Sequence, residues 1–76
     1  MAIEVISPND YYEEIEDKVS EYLGAGVRLV WVITPSAKTV LVRRPNKTCT
    51  ALDVSDTLSG EDVLPGFTCP VADLFT

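Results

Sequence analysis

The chain has 76 residues, a formal net charge of −6, 46% hydrophobic residues and 24% charged residues. This length allows one domain at most, residues 1–76, and this composition is typical of a globular chain rather than a disordered one. No apolar run is long enough to cross a bilayer, and the N-terminus lacks the basic region and cleavage site of a secretory signal, so we expect a cytoplasmic protein without membrane contact.

The first predicted strand covers residues 2–7 and is rich in β-branched residues, and Ser7-Pro8 ends it. Side chains of a strand alternate between its two faces. One face carries Ala2, Glu4 and Ile6, and the other carries Ile3, Val5 and Ser7. Because both faces are largely apolar, we expect cover on both sides, as parallel sheets have.

A helix follows, with Asn9 or Asp10 as its predicted cap and Glu13 in the capping-box position after Asp10. It should run to about Leu23. Two glycines follow that can take the left-handed terminating position: Gly24 and Gly26.

One face of this helix is predicted to be buried, because its apolar residues fall within about 80° of one direction at about 100° per residue. These residues are Tyr11, Tyr12, Ile15, Val19, Tyr22 and Leu23. Lys18 alone among the charged residues lies within about 60° of that direction. The alternative is a surface lysine paired with Glu14 or Glu21.

Three more strands are predicted, at residues 27–34, 39–44 and 48–52. The first of them completes a βαβ unit, which implies parallel pairing and a right-handed crossover. The second should run antiparallel to it, and the third should lie near the sheet edge. The sequence then predicts turns separated by single apolar residues, and a helical turn at residues 71–75 that buries Leu74 and Phe75.

Together these elements predict an α/β (α+β) fold in β-α-β-β-β order, with a mixed sheet, one main helix and a short C-terminal helical turn. The chain has two cysteines, Cys49 and Cys69, and no histidine, which disfavours a zinc site and excludes nucleophilic catalysis through a Ser-His or Cys-His pair. We expect two free, buried thiols, with a Cys49–Cys69 disulfide as the alternative.

Positive charge is concentrated in residues 27–47, which carry five basic residues and no acid. They are Arg28, Lys38, Arg43, Arg44 and Lys47. This segment, with Arg43 and Arg44 as candidate substrate-binding residues, can contact DNA phosphates. The alternative, which the charge pattern favours, is that it neutralises acidic neighbours within the fold.

Glu4 and Lys18 are the candidate catalytic residues. A carboxylate on an apolar strand should be paired, metal-bound or facing water at a frayed end. A lysine from the next helix can converge with it. The carboxylate can then hold Mg²⁺, while the ammonium stabilises charge developing on a phosphoryl group. Such a site needs a further acid, and the nearest, Asp10, is the predicted cap.

The residues resemble a known family at positions spread over the whole chain. The matching segments are Ile3-Glu4-Val5-Ile6-Ser7-Pro8, Tyr22-Leu23-Gly24-Ala25-Gly26-Val27, Val30-Trp31-Val32, Arg44-Pro45, Asp56-Thr57-Leu58 and Leu64-Pro65-Gly66-Phe67. In these segments the chain resembles the C-terminal half of the Uma-type restriction endonucleases, formerly a domain of unknown function, in the PD-(D/E)XK restriction-endonuclease-like superfamily.

The resemblance implies a truncated restriction-endonuclease-like core with a Mg²⁺-dependent DNA nuclease site. Glu4 would be the acid of the (D/E)xK strand and the metal ligand. Ile6 stands at the motif's lysine position, so Lys18 would supply the lysine. Ser7 would bond a site water and would be a substrate-binding residue.

The resemblance also implies that the family's first metal-binding aspartate lies before residue 1, so we expect the chain to be inactive alone. The alternative function is a non-enzymatic assembly module that forms a homo-oligomer, such as a dimer, or completes its fold with a missing N-terminal half. Nucleic-acid binding through the basic segment is a third hypothesis.

Overall fold

The computed structural model describes residues 1–76 and contains six strands, one α-helix and one 3₁₀ helix. In chain order these are β1 (Ala2–Val5), α1 (Tyr12–Gly24), β2 (Val30–Thr34), β3 (Thr39–Arg43), β4 (Cys49–Leu52), β5 (Thr57–Ser59), β6 (Thr68–Pro70) and the C-terminal 3₁₀ helix (Val71–Phe75).

A four-stranded mixed sheet in the order β1-β2-β3-β4 forms the centre of the fold. β1 pairs with β2 in parallel, with Glu4 opposite Val32, and the two later pairings are antiparallel. This arrangement confirms the predicted fold class, the parallel βαβ unit and the edge position of β4. The second edge strand is β1.

The sheet buries apolar side chains on both faces, since the strand residues alternate between two core clusters. On one face, Ile15 and Val19 of α1 pack against Val30 and Val32 of β2. The other face packs against the C-terminal segment in a cluster that consists of Leu29, Trp31, Val40, Val42, Leu58 and Val71.

β1 is covered on one face only. Its inner residues lie under α1, whereas Ile3 is 48% exposed and Val5 is 61% exposed on the opposite face. The expectation of cover on both sides is therefore wrong for β1, because the C-terminal segment packs on β2 and β3.

The predicted helix cap is wrong and one predicted terminator is right. Tyr11 occupies the cap position without a side-chain hydrogen bond, because the Asp10 carboxylate instead accepts a hydrogen bond from the backbone N–H of Ser7 at 2.8 Å. Gly26 ends the helix with a φ of 95°. The Val27 N–H bonds to the Tyr22 carbonyl and the Gly26 N–H to the Leu23 carbonyl, which is the Schellman arrangement.

Two aromatic residues predicted to be buried are exposed: Tyr11 (73%) and Tyr12 (76%). They precede the first turn that lies over the sheet, whose buried residue is Ile15. The angular pattern gives the direction of a side chain but not how much of the helix length is covered.

The C-terminal segment contains a small antiparallel pair, β5 with β6, that was predicted only as turns. The predicted helical turn is present as the 3₁₀ helix, but its fully buried residue is Val71. Phe75 is partly buried and Leu74 remains 39% exposed, so the predicted burial of Leu74 is wrong.

Both cysteines are free, as expected, but neither is buried: Cys49 is exposed and Cys69 is partly exposed. No helix in the structure combines the length and apolar character that crossing a membrane requires. The predicted cytoplasmic location stays a prediction.

Candidate active site

Glu4 lies in the middle of β1 with its side chain on the face that α1 covers. This placement follows from strand alternation, because its neighbours on the same face, Ala2 and Ile6, contact the α1 core cluster. The Glu4 side chain is only 16% exposed. A carboxylate this enclosed requires polar partners, since burying an uncompensated charge is costly.

Two residues of α1 supply those partners. Residues four apart on a helix project from the same side on successive turns, and here Lys18 and Tyr22 both reach Glu4. The Tyr22 hydroxyl donates a hydrogen bond to Oε1 of Glu4 at 2.5 Å, and the Lys18 Nζ lies 3.8 Å from Oε2. The helix thus presents a different donor to each carboxylate oxygen.

The Lys18 side chain is 56% exposed, so it lies on the flank of the buried stripe and reaches inward only at its end. Its ion-pair partner is Glu4 rather than Glu14 or Glu21. Lys18 is therefore an exposed lysine, as the alternative expects, but it does not form the ion pairs within the helix that the alternative predicts.

The Glu4 carboxylate also changes the chemistry of Tyr22. The hydrogen bond to Glu4 raises the pKa of the Tyr22 phenol, and partial burial and the nearby negative charges of Glu4 and Glu21 raise it further. Tyr22 therefore remains a neutral donor toward Glu4 at physiological pH.

The residues fit one ligand position of a divalent metal site, not a complete set. Glu4 offers a hard carboxylate oxygen, Oε2, that accepts no hydrogen bond. No three His, Cys, Asp or Glu side chains of the chain come together as a metal-binding group. Asp10 already accepts the Ser7 N–H. Mg²⁺ requires an octahedral shell of oxygen ligands, usually one or two carboxylates with waters and phosphates.

Comparison with known proteins shows the family of the chain. The sequence model of Uma2, described as "Putative restriction endonuclease", matches residues 1–72. The chain belongs to the Uma2 family. Restriction-endonuclease-like families usually use divalent metal ions, which agrees with the carboxylate and lysine found here.

A solved structure shares the fold of this Uma2 chain. It is a crystal structure of a "putative nuclease belonging to DUF820" from Anabaena variabilis, with a TM-score of 0.85 and 24% sequence identity. The alignment covers 96% of this chain and 41% of the other, so the present chain spans less than half of that protein's length. The search of curated proteins found no match.

The other predicted site residues of the Uma2 chain form no hydrogen bond or ion pair with Glu4 or Lys18. Ser7 follows β1, is exposed, and uses its backbone N–H to bond Asp10. Arg43 forms two hydrogen bonds to Glu16, at 2.6 and 3.2 Å. The roles predicted for Ser7 and Arg43 in substrate binding stay predictions.

Arg44 forms a similar pair with Glu61. Its Nε lies 2.9 Å from one carboxylate oxygen, and its Nη2 lies 2.5 Å from the other. Arg44 also donates to the hydroxyls of Thr48 and Thr50. Arg43 and Arg44 are thus neutralised by carboxylates of the same chain, which favours the internal alternative for the basic segment, and a substrate-binding role for Arg44 also stays a prediction.

Sequence reasoning missed Tyr22 as a polar member of the site, because its ring fitted the apolar stripe of the helix. One signal was available: Tyr22 stands four residues after Lys18, so a hydroxyl on the same side would reach the same partner.

Proposed function

We propose that residues 1–76 provide the Glu4–Lys18 part of a divalent-metal-dependent DNA nuclease site, and that a second acidic ligand comes from outside these residues. Without that ligand the chain does not cleave DNA. The observation that carries the proposal is the convergence of a 16%-exposed strand carboxylate with a helix ammonium 3.8 Å away. Family membership and the lack of an acidic cluster support it.

Each residue has a defined task in this proposal. Glu4 would offer Oε2 as one ligand of Mg²⁺, and the metal would supply Lewis-acid chemistry toward a phosphoryl oxygen. Lys18 keeps a positive charge beside the same carboxylate, where it stabilises negative charge that develops on a phosphoryl group. Its 56% exposure leaves the ammonium accessible to a substrate.

Metal binding by the isolated chain is the direct test. We expect Mn²⁺ to broaden the NMR signals of residues around Glu4 first, and we expect Glu4→Gln to remove this effect. Glu14→Gln is the matched control, because Glu14 is an exposed carboxylate on α1 that forms no ion pair in the structure. Broadening that is centred elsewhere, or that survives in Glu4→Gln, would count against Glu4 as a metal ligand.

A cleavage assay tests whether the isolated chain lacks nuclease activity. Pure protein incubated with plasmid DNA and Mg²⁺ or Mn²⁺ should leave the plasmid intact. Robust cleavage that is lost in Glu4→Ala and retained in Glu14→Ala would show that the site is complete within residues 1–76.

The second candidate function is a non-enzymatic assembly module, and β1 is the observation that favours it. The N–H groups of Ala2 and Ile6 bond to carbonyls of Leu29 and Ile33, so the alternate residues Ile3 and Val5 direct their backbone groups to the open edge. An open edge with two exposed apolar side chains is suited to pairing with another strand, either of a second copy as a dimer or of an N-terminal half. The mass of the protein in solution distinguishes a dimer from a monomer.

A further inference from the structure

The two partners of Glu4 have different physical characters. Tyr22 has a rigid ring that is partly buried among the α1 core residues, and two torsion angles define the position of its hydroxyl. Lys18 has a flexible stem and is more than half exposed. Ordering a long lysine side chain costs more conformational entropy than ordering a ring already held by packing.

The two contacts also differ in strength. The Tyr22 hydroxyl lies at hydrogen-bond distance from Oε1, 2.5 Å, whereas the Lys18 Nζ lies 3.8 Å from Oε2, which is beyond hydrogen-bond distance and leaves an ion pair only. The directional contact that holds the Glu4 side chain in place is therefore the one from Tyr22.

From this geometry we infer that Tyr22 is a positioning residue, which holds Oε1 of Glu4 so that Oε2 alone is presented to Lys18 and to an incoming cation. The inference rests on the proposed function, because the orientation of Oε2 matters only where Glu4 binds a cation. The positioning of Glu4 by Tyr22 is a property of the chain without metal. A ligand group that is already oriented loses less freedom on binding. Tyr22 contributes no charge, so it orients Glu4 without competing for the cation.

The variant Tyr22→Phe removes the hydroxyl and keeps the ring. In the metal-free, isotope-labelled chain, three-bond NMR couplings report whether the Glu4 side chain occupies one rotamer or several. We expect one dominant set of χ1 and χ2 angles in the wild type, and averaged couplings in Tyr22→Phe. The matched control is Tyr11→Phe, because Tyr11 is a 73%-exposed tyrosine that precedes the same helix and should leave the Glu4 couplings unchanged.

Three results would overturn the inference: averaged couplings for Glu4 in the wild type, an unchanged single rotamer in Tyr22→Phe, or loss of folding in Tyr22→Phe. The last result would assign the hydroxyl a structural role.

A Mg²⁺ titration of the same samples, followed at the Glu4 carboxyl carbon, separates this inference from the proposed function. We expect the midpoint to rise at least about threefold in Tyr22→Phe, a lower bound for losing a hydrogen bond that preorganises a ligand. If wild-type Glu4 is ordered but does not respond to Mg²⁺, the metal-binding role of Glu4 fails while the positioning by Tyr22 stands. If Mg²⁺ binds at Glu4 with the same midpoint in both proteins, the positioning role fails while the metal site stands.

Discussion

The Arg43 guanidinium on β3 and the Glu16 carboxylate on α1 form a bidentate ion pair, with N–O distances of 2.6 and 3.2 Å. The two residues are 27 positions apart in the chain, and about a quarter of each side chain is exposed. The pair therefore connects the main helix to the third strand of the sheet at a site that is partly shielded from water. Paired, planar hydrogen bonds of this kind are stronger than a single surface contact.

Glu16→Gln should lower the free energy of unfolding by about 1 kcal/mol, because it leaves a partly shielded guanidinium without its charged partner. Chemical denaturation followed by circular dichroism measures this loss. Asp17→Asn is the control, since Asp17 is the next residue on the helix, is exposed and forms no ion pair. Equal losses in both variants would show that the pair adds no stability beyond a general charge effect.

Lowering the pH should destabilise the fold by protonating two carboxylates that are paired with arginines, those of Glu16 and Glu61. The hydrogen bonds from Arg43 lower the pKa of Glu16 below its ordinary value of 4.5, and those from Arg44 lower the pKa of Glu61 in the same way. The unfolded chain therefore binds protons at a higher pH than the folded chain does. The stability from these pairs is present above about pH 4.5 and is lost as the pH falls through the lower, folded-state pKa values.

The measurement is the free energy of unfolding between about pH 6 and pH 3. The wild type should lose stability steeply below about pH 4.5, and the double variant Glu16→Gln with Glu61→Gln should show a shallower slope. A slope that the double variant leaves unchanged would assign the acid sensitivity to other groups.

Much of the fold was predictable because its strands and helix carry strong local patterns. β2 and β3 contain the apolar runs at residues 30–33 and 40–42, and the parallel β1–β2 pairing followed from the strand-helix-strand order. The β5–β6 pair was not predictable, since each strand has three residues. Strands this short show no alternation of apolar and polar residues that would reveal them in the sequence.

The candidate site was predictable in part for the same reason. Helical geometry placed Lys18 on the flank of the buried face, and strand alternation placed Glu4 on the same face as Ala2 and Ile6, but it could not show that α1 covers that face. The contact of Tyr22 with Glu4 depends on how α1 lies across β1, which is a tertiary property. The pairing of Arg43 with Glu16 depends on it too, so the sequence favoured neutralisation within the fold for the basic segment but could not name the acidic partners.

The ionisation of Tyr22 should report its contact with Glu4. Because the hydrogen bond to Glu4 raises the pKa of the phenol, its ring signals should titrate at a higher pH in the wild type than in Glu4→Leu, which has no acceptor. The corresponding stability is present below the phenol's ordinary pKa of about 10 and is lost as the pH rises through the folded-state value. Two-dimensional NMR of the tyrosine rings follows this directly. A Tyr22 midpoint that is the same in both proteins would contradict the contact.

The open edge of β1 predicts self-association that a charge should prevent. Ile3→Lys places an ammonium on the exposed face of the edge strand, a common way in which natural sheets block edge pairing. Sedimentation equilibrium of the wild type should show a concentration-dependent dimer, and Ile3→Lys should be monomeric. Val54→Lys is a matched control, because Val54 has the same 48% exposure but lies in the loop before β5. A wild type that is monomeric at high concentration would remove the dimer from the candidate functions.

Gly60 should tolerate no side chain. It is buried between β5 and the turn that follows, and a Cβ added there would lie 2.5 Å from both the Cβ and the backbone oxygen of Leu64. The backbone at Gly60 cannot easily shift away, because the Gly60 N–H donates to the Phe67 carbonyl and the Gly60 carbonyl accepts a hydrogen bond from the Leu64 N–H. Gly60→Ala should therefore lower the free energy of unfolding by roughly 1–3 kcal/mol through overpacking.

Gly24 provides the opposite case for the same substitution. It is the last residue of α1, and no atom lies within 4 Å of an added Cβ. Gly24→Ala should therefore stabilise the protein by about 0.4–1 kcal/mol by restricting the unfolded chain. Thermal and urea unfolding of both variants beside the wild type measure the contrast. If Gly60→Ala were as stable as Gly24→Ala, the tight approach of the C-terminal turn to β5 would be wrong. The packing that covers the second face of the sheet would then need a different arrangement.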